Sequence, residues 1–311
     1  MTVINTNVKA LFTQASLKLT ERASMKSMQE LSTGKRINSA KDDAAGLAIA
    51  ARMTQQIEGL NQGIRNAGDA VAMIQTTEGA TQNVTTMLLR ISELAMQAAN
   101  DTYSDVQRGF LDNEFSQLKE EINRMALTHE WNGFKILAGA ADGDNVIGGV
   151  TPALGSVRDP LQLYFQVGDA ASQSITVKLP NFTEKGNVTR AIFYSDYAVD
   201  PSDVVTAEGV APTSIKTVQG AQTVIARCKM ALDKVSESRS MMGAIMNRLE
   251  HVVDNLTNVS MNSAASRSQI EDADYAKAST DLAKSQIMSQ AATAVLAQAN
   301  TSQQTVLKLL G

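Results

Sequence analysis

Ser39-Ala40-Lys41-Asp42-Asp43-Ala44-Ala45-Gly46-Leu47-Ala48-Ile49 opens a segment that no proline interrupts before Pro152. Ser39 with an acidic residue three positions on has the form of a capping pair, so a helix is expected over residues 42–100. At 1.5 Å of rise per residue that helix is about 85 Å long, far beyond the globular average. Gly46, Gly59, Gly63, Gly68 and Gly79 lie within it. Each either weakens the helix, by up to about 1 kcal/mol relative to alanine, or admits a neighbouring helix at close range; both readings stand.

The same reasoning extends outward. All five prolines lie between Pro152 and Pro212. A proline inside a helix removes a hydrogen bond and clashes with the preceding turn, at a cost of roughly 3 kcal/mol. Residues 1–151 and 213–311 are therefore free to be helix, and the middle is not. An insert between two helical arms implies that the arms pack together and that the chain ends meet. Ile4, Val8, Leu11, Ala15 and Leu19 recur at steps of three and four, as on one helical face. Gly34 is a stop signal. Ser104 and Gln107 are placed to cap a third helix carrying Phe110, Phe115, Leu118, Ile122 and Met125. Asn132-Gly133 is a turn signal, followed by a short strand over 134–137.

Within 140–213, strands are expected at 161–167, 175–179 and 191–194, giving a small β-rich surface module. Helix returns over 214–262 and again over 270–310. In the last segment Leu282, Ala292, Leu296, Ala299, Val306 and Leu310 share one face, while Ile287, Ala291, Ala294 and Val295 lie on the other side. A helix apolar on more than one side requires neighbours on more than one side, and alone it is marginal in water. Both ends are thus expected to order only on assembly.

Composition narrows the function. Aromatics make up 4% of residues, and Tyr164, Phe165, Phe182, Phe193, Tyr194 and Tyr197 cluster in the middle. The arms are built from Ala, Leu, Ile, Val, Met, Gln and Ser, which suit long, closely packed helices. The formal charge of -4 comes without a basic stripe, so nucleic acid is not an expected partner. No stretch approaches the ~18 apolar residues of a membrane span. The N-terminus lacks the basic and apolar segments of a cleaved secretory signal. Cys228 is the single cysteine, read as a small helix residue rather than a reactive thiol. His129-Glu130 and Glu250-His251 each lack the second histidine of a zinc-protease helix. With no P-loop, dinucleotide fingerprint or serine-hydrolase elbow, no enzyme, cofactor or metal is expected. Asp42-Asp43 and Glu271-Asp272-Ala273-Asp274 are read as helix-start acids rather than a cation site. Asn181-Phe182-Thr183 and Asn187-Val188-Thr189 match the N-glycosylation pattern by coincidence.

Two stretches carry a resemblance. Leu31-Ser32-Thr33-Gly34-Lys35-Arg36-Ile37-Asn38, continuing through the opening segment with Asp42, Asp43 and Gly46, resembles the N-terminal signature of bacterial flagellin. Ser266-Arg267-Ser268-Gln269-Ile270-Glu271-Asp272-Ala273-Asp274-Tyr275-Ala276 resembles its C-terminal signature. Val295-Leu296-Ala297-Gln298-Ala299-Asn300 and Val306-Leu307-Lys308-Leu309-Leu310 are similar to the family's end. The similarity covers residues 1–140 and 225–311 but not the middle.

The resemblance implies a mainly α fold: long antiparallel rods from both chain ends, a small β-hairpin region, and an inserted, mostly β variable module. It implies an inner-tube helix pair (1–41 with 268–311), an outer-tube rod (42–139 with 214–267) and an outward module (140–213). It implies a structural subunit of the extracellular flagellar filament, exported unfolded without a cleaved signal and polymerised at the distal tip. Partners would be the chain itself, an export chaperone at the C-terminal helix, and the filament cap and hook-associated proteins. The flagellin-sensing Toll-like receptor of animals would read Arg90, Leu94 and Glu114, which otherwise serve axial packing. Inner-tube assembly would use Ile4, Val8, Leu11, Leu282, Leu296, Val306 and Leu310. The 132–137 region is the matching supercoil-switch candidate. The alternatives are a hook–filament junction protein, a surface enzyme carried on the middle module, and a chemoreceptor-like helical hairpin.

Overall fold

In a computed structural model the long segment becomes helix at Ala44, two residues later than expected. Asp43 caps it, its carboxylate accepting from the Gly46 amide at 2.9 Å. Ser39 and Asp42 instead close a turn of their own. The Ser39 hydroxyl donates to the Asp42 carboxylate at 3.0 Å, and the Asp42 amide donates to the Ser39 carbonyl at 3.0 Å. The structure describes residues 7–139, 161–183, 189 and 213–310, the side chains of 302–310 excepted. Among them the order is α1 (Val8–Thr33), α2 (Ala44–Ala98), α3 (Asp105–Thr128), β1 (Glu130–Trp131), β2 (Phe134–Lys135), β3 (Leu161–Gln166), β4 (Ser174–Leu179), α4 (Val218–Glu271) and α5 (Tyr275–Leu310). The mainly α architecture with a small inserted β part is the expected one.

Local chemistry sets the boundaries. α1 stops at Gly34, whose φ of 69° is the left-handed conformation that glycine adopts without strain. α3 opens on a complete capping box between Ser104 and Gln107. α4 runs to Glu271, so Ile270 belongs to it and not to the last helix. The break falls at 272–274, where the Asp274 carboxylate accepts from the amides of Ala276 (2.9 Å) and Lys277 (3.1 Å) and starts α5. Asn132 and Gly133 have φ of 49° and 82°, the two-residue turn that matches strand twist. The β2 strand is only two residues long. Ile136 and Leu137 leave it for the core, where the Leu137 carbonyl accepts from the Phe182 amide at 2.9 Å. The strand expected at 191–194, and the Asn187 pattern, lie outside the described residues.

The chain divides into two compact units: Met1–Glu58 with Asn258–Gly311, and Gly59–Thr257. The second holds the main apolar core, built from Leu88, Ile91 and Leu94 of α2, Phe115 and Ile122 of α3, and Val224, Val235 and Met242 of α4. β3 and β4 pair antiparallel from Leu161↔Leu179 to Gln166↔Ser174. Their inward residues Leu161, Leu163, Ile175, Val177 and Leu179 join the same core, so the described part of the insert is no mere surface decoration. The hairpin sits against α2: a Cβ on Gly63 would stand 2.8 Å from the Val167 carbonyl oxygen. Asn66 donates to the Gln166 carbonyl at 2.8 Å. Gly59 and Gly63 thus admit a β-turn rather than a helix, while Gly68 and Gly79 have open space beside them. The chain returning from the insert is latched to α3 by the buried Asp112 carboxylate. It accepts from the Ser214 hydroxyl (2.9 Å) and the Ile215 amide (2.8 Å).

Candidate assembly surface

The first unit is built differently. Residues on α1 that are buried or half-buried are mostly small: Ala10, Thr13, Ser16, Leu17, Thr20, Ser24 and Ser27. The matching stripe on α5 is Ala278, Leu282, Ser285, Ser289, Ala292, Leu296 and Ala299. Three of these hydroxyls bond within their own helix, which lets them sit in the contact: Thr13 to the Lys9 carbonyl (2.9 Å), Thr20 to Ser16 (3.0 Å) and Ser285 to Leu282 (2.8 Å). The two helices run antiparallel. At one end Asn7 caps α1 through the Ala10 amide and donates to the Ala299 carbonyl at 3.2 Å. At the other end, the Arg36 amide donates to Glu271 (2.7 Å) and the Ala273 amide to Gly34 (2.9 Å). The N- and C-terminal helices therefore meet, as the arrangement of arms and insert implies.

The large apolar residues of α1 point the other way. Val8, Leu11 and Leu19 are exposed, and Phe12 is 75% exposed. Val295 and Met288 are exposed on α5. The apolar stripe read from the sequence is therefore real but faces away from α5, because small side chains are what let the two axes approach. Val8, Phe12 and Val295 line one groove along the pair, and Leu19, Ala23 and Met288 line its continuation. Fully burying one such Val, Leu, Phe or Met side chain is worth roughly 1.5–3 kcal/mol. Several together compete with the ~4–15 kcal/mol entropic cost of association. That potential is unrealised in the single subunit.

Of the residues expected to serve inner-tube assembly, Val8 and Leu11 are on this outward face. Leu282 and Leu296 are half-buried toward α1. Ile4 and the side chains of Val306 and Leu310 lie outside the described residues.

The signature residues gather where α1 and α5 approach. Beyond the two backbone bonds, Lys35 pairs with Glu271, and Arg36 donates to the Ile270 carbonyl at 2.6 Å. Gly46 is required by space: a Cβ there would meet an Asp43 carboxylate oxygen at 2.5 Å and Ile37 Cδ1 at 2.7 Å. Asp43 and Asp274 cap helices, Asp42 closes its turn, Asp272 forms a bridge with Lys35, and Tyr275 is exposed at the start of α5. The hydrogen bond from Ser39 holds the Asp42 carboxyl below its usual range. Sequence reasoning gave Lys35 and Arg36 no role and read Glu271 as a helix-start acid, whereas Glu271 is the last residue of α4 and pairs with Lys35. Their membership of the two signatures was the available signal.

A second surface lies on α2 and α3. Arg90 Nε donates to the Glu114 carboxylate at 2.9 Å, and a second nitrogen reaches Glu93 at 3.1 Å. These bonds, that to Glu114 first, raise the guanidinium pKa. Leu94 does not join them. One helical turn from Arg90, it turns inward and is 1% exposed in the core. The apolar neighbour that does reach the surface is Leu89.

The comparisons with known proteins agree with this layout. Residues 4–142 match the bacterial flagellin N-terminal helical region, and residues 225–310 match the C-terminal helical region. The chain belongs to the bacterial flagellin family. The matched spans coincide with the resemblance read from the sequence to within a few residues and leave the middle uncovered. Over its full length the chain is 36% identical to flagellin FlaB1 of Treponema pallidum (311 residues aligned). It is 38% identical to the flagellin of Halalkalibacterium halodurans (308 residues aligned), with 99% of both chains covered in each case. A solved structure from Vibrio parahaemolyticus described as a flagellar hook-associated protein shares the fold at a TM-score of 0.53. That likeness has 10% identity and covers 74% of this chain and 100% of the other. The family is one of structural proteins. No helix among the described residues is long and apolar enough to cross a membrane.

Proposed function

We propose that this chain, a structural subunit of the bacterial flagellar filament, polymerises through the outward apolar face of the α1/α5 pair, with further copies of itself as the occupant. The observation that carries this reading is the orientation of the pair: small residues inward, Val8, Leu11, Phe12 and Leu19 outward. A face of that kind, repeated by a rotation that does not close, gives an open helical polymer. On this reading the pair lines the inner tube, and the α2–α4 rods, with the β3–β4 hairpin packed into their core, form the outer tube. The subunit acts outside the cell as a scaffold, not a catalyst. It reaches its site through the flagellar secretion apparatus. An export chaperone holds α5 before secretion, and at the distal tip the filament cap and hook-associated proteins bound the polymer. The turn and strand at 132–137 is the switch between supercoil packings. The Toll-like receptor contact, or axial packing of copies, uses Arg90 and Glu114, with Leu94 fixing helix spacing from beneath.

The test is seeded elongation imaged by electron microscopy, using the full chain, a chain lacking residues 270–311, and a Phe12→Asp variant. Long tubes are expected from the full chain alone. Short caps from the full chain would favour a junction protein, and normal tubes from Phe12→Asp would remove the proposed face.

A further inference from the structure

Methionine is usually an interior residue, yet among the described residues seven are exposed: Met25, Met28, Met96, Met230, Met241, Met261 and Met288. One of them stands apart by position. Met288, 53% exposed, lines the groove of the α1/α5 pair with Leu19 and Ala23, in line with Val8, Phe12 and Val295. Val8, Phe12 and Leu19 follow at steps of four and seven, and Met288 and Val295 are seven apart, so all five fall on one side of the pair. The rest of the groove beside Met288 is charged, running through Lys284, Asp281 and Lys277 toward the start of α5. Met25 and Met28 are exposed on α1 as well, but Met288 is the methionine that lines the groove assigned above to assembly.

We propose that Met288 is a reversible oxidation site that switches off assembly of the free subunit. A peroxide transfers one oxygen to the Met288 thioether. The sulfur loses two electrons and becomes a sulfoxide, the peroxide O–O bond breaks, and water leaves. The product is polar and chiral where the groove needs an apolar filler, and a sulfoxide reductase reverses it with two electrons from a dithiol, which becomes a disulfide as the oxygen leaves in water. An exported subunit meets any oxidant with the groove open, whereas a docked neighbour shields the sulfur. The inference rests on the assembly reading above.

The experiment exposes purified full-length chain to hydrogen peroxide, maps sulfoxide at each methionine by peptide mass spectrometry, and measures seeded elongation. With Met288 converted, elongation is expected to fall by about tenfold or more, to recover on treatment with methionine sulfoxide reductase, and to persist in oxidised Met288→Leu. Unoxidised Met288→Gln, polar at the same volume, is expected to elongate as slowly as the oxidised wild type. In preformed filaments Met288 is expected to oxidise more slowly than in free subunits. The inference is overturned if subunits carrying the Met288 sulfoxide elongate normally, or if oxidised Met288→Leu loses as much activity as the wild type. Failure of the untreated full chain to elongate would overturn the assembly reading itself, and this inference with it.

Discussion

Lys35 and Asp272 form an isolated antiparallel bridge, and the breaks in both helical arms lie on either side of it. α1 has just ended at Gly34 and α5 has yet to begin at Asp274, so two helix breaks 237 positions apart in sequence share one pair of backbone hydrogen bonds, Arg36 to Glu271 and Ala273 to Gly34. The joint fixes the register of α1 against α5, and thereby which side chains face inward. Both signature stretches are, in physical terms, the two halves of this joint.

Replacing Gly34 by valine should loosen it. The left-handed backbone there costs an L-residue roughly 1–2 kcal/mol, and a β-branched one more. Nothing lies within 4 Å of the added Cβ, so the effect is strain and not a clash. Amide exchange at Arg36 and Ala273 is expected to rise by about 5–30-fold, while exchange around Ile91 is unchanged. Unaltered protection at Arg36 would contradict the assigned role of the turn.

Acid should act on the adjacent turn. Asp42 titrates below its usual range because its ionised form accepts the Ser39 hydroxyl. A depressed folded pKa means stability that is fully present above the ordinary carboxylate range and lost as pH falls through the lowered value. The turn at 38–42 is expected to loosen only in that acid window. Ser39→Ala should move the Asp42 titration upward, read by carboxyl chemical shifts against pH, and an unmoved midpoint would contradict the cause assigned here.

How much of this was legible in the sequence follows from the range of each interaction. Gly34, the Ser104–Gln107 box and Asn132-Gly133 act within four residues, and each was read correctly. The start of α2 was misplaced because Ser39–Asp42 and Asp43–Gly46 are overlapping patterns of the same local kind, and only geometry decides between them. The stripe through Val8 and Leu11 was seen, but its direction depends on a partner helix at the other end of the chain. Leu94 was misread for a related reason: one helical turn from Arg90 leaves its facing open until α3 and α4 are in place.

The β3–β4 hairpin depends on Gly63. A Cβ there meets the Val167 carbonyl oxygen at 2.8 Å, and backbone, unlike a side-chain tip, cannot swing away. Gly63→Val is expected to destabilise the second unit by about 1–3 kcal/mol, and Asn66→Ala by ~1 kcal/mol. Both would be read from urea midpoints. A Gly63→Val midpoint equal to wild type would mean that the hairpin does not need the close approach.

Cys228 reports on the same core. It is fully buried, and burial pushes its thiol pKa up to about 12. At pH 8 the thiolate fraction is on the order of 10⁻⁴, so an aromatic disulfide reagent should label the native chain only as fast as the core opens. Labelling in full within seconds under native conditions would show that α4 does not hold the residue as described.

The last prediction concerns the free subunit. The α1/α5 contact is made largely of Ala, Ser and Thr, which bury little apolar area. The α2–α4 core is made of Leu, Ile, Val and Phe. Helices of this size gain most of their stability from an apolar face packed against a partner, and in the free subunit the large apolar side of α1 has none. Opening free energy should therefore be low along the pair and near the global value in the core. In dilute monomer, amides within Val8–Thr33 and Tyr275–Leu310 are expected to exchange at least about 100-fold faster than those near Ile91, Ile122 and Val224. On seeded polymerisation they should become the most newly protected amides in the chain, because docking supplies the missing apolar contacts. Equal protection of the pair and the core in monomer would show that the two helices stabilise each other without copies, and the dependence of folding on assembly would be lost.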